Sequence, residues 1–96
     1  VSEWRAVGEL PPFEPDDVEL TTELCMDWLT EDILQLTNGR HILDVGWYPC
    51  QDPKGDYRAL RILDRDWQYP KAGITTRSTE VVRRWLKEQQ RRGGGE

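Results

Sequence analysis

Few residues in this chain have types and spacing suited to chemistry. Cys25 and Cys50 are the two cysteines, and His41 is the single histidine. A thiol becomes a useful nucleophile when a base sits beside it, so either cysteine with His41 is the one thiol–imidazole pairing on offer. Neither cysteine stands in a Gly-rich elbow or a Cys-x-x-Cys spacing, and one imidazole with two thiols does not make a zinc set. The two cysteines therefore read as buried or half-buried thiols in a reducing cytoplasm, with a disulfide between them left open by the spacing. His41 reads as a surface or hairpin residue. Adjacent acids such as Asp16-Asp17, Glu31-Asp32 and Asp64/Asp66 lack EF-hand spacing, and no phosphate-cradling loop accompanies them. The expectation is no catalytic residue, no metal and no cofactor.

What remains is recognition chemistry, carried by charge and aromatic rings. The 96 residues carry a formal charge of -5, but it is unevenly spread. Residues 1–38 hold ten acids and one base, a net -9, and residues 39–96 hold eight acids and twelve bases, a net +4. Such asymmetry points to a charged partner or to one part of the chain lying against the other. An outward-facing acidic surface would steer a basic protein toward it and speed docking. The acids placed to do this are Asp16, Asp17, Glu19, Glu23, Glu31 and Asp32. Tryptophan and tyrosine are the usual anchors of protein interfaces, and Trp67 and Tyr69 lie in a polar, loop-like stretch beside Asp66. Trp47 and Trp85 read as core. The basic residues Arg83, Arg84, Lys87, Arg91 and Arg92 read as the wet face of a helix. The acidic total makes nucleic acid an improbable partner. No apolar run approaches the roughly 18 residues that span a bilayer, and no basic region followed by an apolar stretch opens the chain, so a cytoplasmic protein without a signal peptide is expected.

The elements that must position these residues follow from periodicity. Residues 1–17, with Pro11, Pro12 and Pro15, read as an extended segment anchored by Trp4 and Phe13. Over 18–29 the alternation of Val18, Leu20, Leu24, Met26 and Trp28 favours a strand. The alternative is a helix using Leu20, Leu24 and Trp28, with Met26 pointing away. Ile33–Leu36 is a short apolar run, and Asn38-Gly39 after it is a hairpin signal of type I′. His41–Tyr48 alternates as a strand, with Leu43, Val45 and Trp47 on one face and Ile42, Asp44, Gly46 and Tyr48 on the other. Gly46 marks a bulge or a close backbone approach. Asp52-Pro53-Lys54-Gly55 is a turn and Tyr57–Leu63 the return strand. Asp64–Thr76 reads as loop with a short strand at Trp67–Tyr69. Ser78 caps an amphipathic helix over about 79–91, where Val81, Val82, Trp85 and Leu86 share one face. The fold expected is α+β: a small antiparallel sheet with a C-terminal helix on one face. The chain is one domain over 1–92, followed by a Gly-rich flexible tail at 93–96.

The run Ile42-Leu43-Asp44-Val45-Gly46-Trp47-Tyr48-Pro49, followed by Asp52-Pro53-x-Gly55-x-Tyr57, Trp67, and Thr76-Arg77-Ser78 opening a helix, resembles small bacterial immunity proteins. These belong to polymorphic-toxin and contact-dependent inhibition systems. The resemblance covers roughly residues 40–86 and leaves the acidic N-terminal part unmatched. It implies a non-enzyme that binds and blocks one cognate toxin nuclease or related effector, and the acidic surface independently suits a basic one. The alternatives that residue chemistry leaves are a structural or assembly domain that self-associates into a homodimer through an exposed sheet edge or aromatic patch and a nucleic-acid binder or mimic.

Overall fold

In the computed structural model, which describes residues 3–94, five antiparallel strands lie in chain order and one long helix crosses the sheet. The strands are β1 (Arg5–Gly8), β2 (Leu34–Thr37), β3 (His41–Tyr48), β4 (Asp56–Leu63) and β5 (Ala72–Thr76). A short helix α1 (Thr22–Trp28) follows a single 3₁₀ turn at Pro15–Asp17, and α2 (Thr79–Gly94) ends the described chain. The α+β class expected from the sequence holds.

The register sorts side chains into two faces. Leu36 pairs with Leu43 and Leu34 with Val45, while Val45 pairs with Ala59 and Trp47 with Tyr57. Directly opposed residues share a face, so these line the inner face, against which α2 lies. Trp47, Tyr57, Leu43, Val45 and Ala59 are fully buried there and join Cys25, Leu29, Val82 and Leu86 in one core. Trp47 meets Tyr57 edge-on at 5.0 Å, and its indole N–H donates to the Asp52 carbonyl at 2.7 Å. Trp85 is half-buried and packs against the same core.

Residues 18–29 correct the strand expectation. Thr21 is an N-cap whose hydroxyl accepts the Leu24 N–H at 3.2 Å, and the helix runs from Thr22 to Trp28. Capping fixes the start. Burial then chooses the period: Cys25 and Leu29, four apart, are fully buried, and Met26 is 55% exposed. Strand-like alternation over 18–28 was real but placed Met26, not Cys25, in the core.

The Asn38-Gly39 signal marks a hairpin one residue out of the expected frame. Asn38 N–H donates to the His41 carbonyl, so Gly39 and Arg40 are the central pair. Positive φ falls on Gly39 (93°) and not on Arg40, the type II′ pattern rather than I′. Asn38 instead turns its side-chain oxygen onto the N–H groups of Arg40 and His41. Gly46 is the close approach its place in the strand implied: a methyl group there would overlap the Glu31 carbonyl.

The last strand lies at Ala72–Thr76 rather than at Trp67–Tyr69. Asp64 and Arg65 adopt φ of 52° and 60°, bending the chain out of β4, and Trp67 to Tyr69 form turns. The helix α2 begins where expected, with Ser78 accepting the Val81 N–H. It continues through Gly93 and Gly94, because Gly93 is buried with its Cα beside Trp4 and His41. Of the expected tail, residues 95 and 96 lie outside the described residues.

Candidate functional site

The side of the sheet away from α2 carries Gln35, Asp44, Tyr48, Arg58, Leu60, Gly73 and Thr75 by register. Two adjoining clefts indent it. One, of about 230 Å³, is lined by Val7, Gly8, Asp32, Leu34, Gln35 and Asp44. The other, of about 470 Å³, includes Asp44, Tyr48, Arg58, Leu60 and Gly73 in its lining. Asp44 is the residue they share. Gly73 helps to hollow the second, since a methyl group there would press on Leu60 at 3.0 Å.

The electrostatics of this face are those of crowded acids. Burial raises the Asp44 carboxyl above its ordinary value, and the neighbouring Asp32 raises it further, against a hydrogen bond from Gln35 that lowers it. Among the described residues no cation lies within ion-pair distance of Asp44. The Tyr48 phenol is raised by burial first, then by Asp44, Glu31 and Asp32, with Arg58 opposing. The Arg58 guanidinium lies 5.6 Å over the Tyr48 ring. The backbone places Glu31 and Asp32 here: Thr30 O accepts from Trp47 N–H and Val45 O from Ile33 N–H, so residues 31 and 32 bulge between them.

The residues expected from sequence to meet a partner do not form one cluster. Glu31 and Asp32 reach the open face. Asp16 is turned to Arg77, whose Nε lies 2.8 Å from its carboxylate. Arg77 also donates to the carbonyls of Pro53 and Gly55 and covers the Trp47 ring at 5.3 Å. Asp17, Glu19 and Glu23 are exposed along the 3₁₀ turn, the connection and the first turn of α1. Trp67 and Tyr69 are 48% and 65% exposed on the β4–β5 connection. Among the described residues no side-chain hydrogen bond, ion pair or ring contact joins either of them to the acids. The sequence reading missed Gln35, Asp44, Tyr48 and Arg58. The usable signal was Asp44 and Tyr48 falling on the strand face opposite Leu43, Val45 and Trp47.

Comparison with protein-family models, with curated proteins and with solved structures returns no match. The geometry of the site is therefore what bears on function.

The thiol–imidazole pairing is not assembled. His41 opens β3 and Cys50 follows its end, and an eight-residue strand at about 3.3 Å per residue separates its ends by roughly 25 Å. Cys25 lies at that same far end, since α1 is tied to it through Leu29 O and Gln51 N–H at 2.7 Å. Both cysteines are free thiols, which settles the open disulfide, and Cys50 is exposed rather than half-buried. Burial pushes the Cys25 thiol up, and Asp52 adds to it, so the thiolate is disfavoured. His41 is buried, not at the surface, with Trp4 at 6.4 Å. Among the described residues no three His, Cys, Asp or Glu side chains are gathered to hold a metal. No helix of the described residues is long and apolar enough to cross a membrane.

Proposed function

We propose that this chain is a non-catalytic protein-binding module of the immunity or antitoxin type. It binds a basic toxin or effector on the open face of its sheet and blocks it, in the cytoplasm. The observation that carries the reading is the half-buried Asp44 beside Asp32, without a cation of its own, at the junction of two clefts. A lysine or arginine from a partner would relieve the repulsion between these carboxylates and find Tyr48 and Leu60 beside it for its alkyl stem. Glu31 extends the field that steers such a partner in, and Trp67 and Tyr69 offer further aromatic contact.

The test is co-expression with the toxin domain expected to be encoded directly upstream of this chain. The chain restores growth, and the purified pair associates with a rate that falls as salt rises. Reversing both charges, Asp32→Lys with Asp44→Lys, slows association by about tenfold or more and flattens the salt dependence. Absence of protection, or an unchanged rate in the double variant, overturns the proposal.

A further inference from the structure

The helix α2 does not cover the whole inner face. It packs on β3, β4 and β5, and the inner face of β1 and β2 is left beside it. A cleft of about 410 Å³ runs there, with Ala6, Leu10, Leu36 and Leu86 among its apolar lining, Arg83 and Lys87 on its helical wall, and the acid Glu9 just past the end of β1. Arg83 is shared with Glu80 at 3.3 Å, while Lys87 is exposed and has no ion pair among the described residues.

The strand along this cleft is the outer strand of the sheet, and all four of its residues are exposed. Hydrogen-bonded and non-bonded pairs alternate along an antiparallel ladder, so one bond sets the rest. The Asn38 N–H to His41 carbonyl bond turns Leu36 and Leu34 toward β3, which leaves Gln35 and Thr37 bonded toward β1. The backbone N–H and C=O groups of their partners Val7 and Arg5 point toward β2. Ala6 therefore presents its N–H and C=O to the open edge, while its methyl group lies on the inner face, in the cleft.

We propose that β1 accepts an extended segment of another protein as a sixth strand. The segment places an apolar side chain in the cleft, and a carboxylate two residues along, on the same face, pairs with Lys87. Charge decides the occupant. A second copy of this chain, pairing β1 with β1, would bring only Ala6 and Gly8 to the inner face, too small to fill the cleft. It would also set two Lys87-bearing walls toward each other. The opposite face of β1 borders the smaller Asp44 cleft through Val7 and Gly8, but the segment is held by Ala6, Leu36 and Lys87 on the inner side, and the proposal stands whether or not the open face binds a toxin.

The probe is a synthetic capped heptapeptide, Thr-Asp-Val-Leu-Val-Asp-Thr, titrated into the ¹⁵N-labelled protein. Expected are amide shifts at Ala6, Leu36, Leu86 and Lys87, and slowed hydrogen exchange at Ala6. Lys87→Glu weakens binding about fivefold, the worth of one exposed ion pair, and Ala6→Pro, which removes the donor at the edge, abolishes it. Lys87 is exposed, so its variant reads binding even if Ala6→Pro perturbs folding. No binding at millimolar peptide, shifts confined to the Asp44 face, or equal binding of a peptide with lysines in place of the aspartates overturns the proposal. So does protection of Ala6 in a peptide-free dimer seen by sedimentation.

Discussion

Tyr57 joins the sheet to α2 through one buried hydroxyl. It is fully buried, and its oxygen lies 2.7 Å from Thr79 Oγ1. The threonine spends its one proton on the Phe13 carbonyl at 2.8 Å, so the tyrosine is the donor. Burial pushes the phenol up to about 12. A pKa raised in the folded state favours the neutral form, so its contribution is complete below the unfolded value of 10.0 and is lost as pH rises through about 12. Tyr57→Phe is expected to cost about 1 kcal/mol at pH 7, one buried hydrogen bond. In urea unfolding between pH 10 and 12 the variant loses stability less steeply than the wild type, and equal slopes would refute this assignment. The strand parity of Tyr57 was legible from its alternation with Ala59. Its partner was not, because Thr79 is 22 residues away and meets it only when α2 docks.

At the scale of elements, α2 shows where local signals stop. Ser78, Glu80 and the apolar stripe announce the helix from sequence alone. Its strongest cap comes from elsewhere: the Glu14 carboxylate accepts the N–H groups of both Thr79 and Glu80 at 2.7 Å. A carboxylate at the positive end of the helix dipole satisfies two donors that α2 cannot satisfy internally. Glu14→Gln leaves one amide oxygen to accept and removes the charge, with an expected loss of about 1–2 kcal/mol in thermal unfolding. A melting temperature unchanged by that substitution would contradict the role. The same contrast explains α1. The sequence between Val18 and Trp28 satisfies two periods, and the helix wins because Cys25 and Leu29 find the core while Thr21 caps the first turn. Nothing in four residues of Arg-Ala-Val-Gly declares a strand; β1 exists because β2 offers it an edge.

For the whole molecule, the uneven charge turns out to be partly internal. Glu14 and Asp16, from the acidic N-terminal part, are held by the start of α2 and by Arg77. The arginines of α2 pair within the helix, Arg83 and Arg84 with Glu80, Arg91 and Arg92 with Glu88. The N-terminal segment is therefore structural: it supplies β1, the buried Pro11 and Pro15, and the cap of a helix that begins 65 residues later. Deleting residues 1–17 is expected to abolish the cooperative thermal transition in near-ultraviolet circular dichroism; a retained sharp transition would show the remainder folding alone. From the sequence alone came the α+β class, the hairpin of β3 and β4, the face of α2 that is buried and the exposure of Trp67, because each depends on spacing between near neighbours. The tertiary structure alone decided which acids remain outside. Glu14 and Asp16 meet their partners across more than 60 residues, and Asp32 meets Asp44 only through the bulge over Gly46. Pairing at that range depends on how strands and helix pack, and no local pattern encodes it.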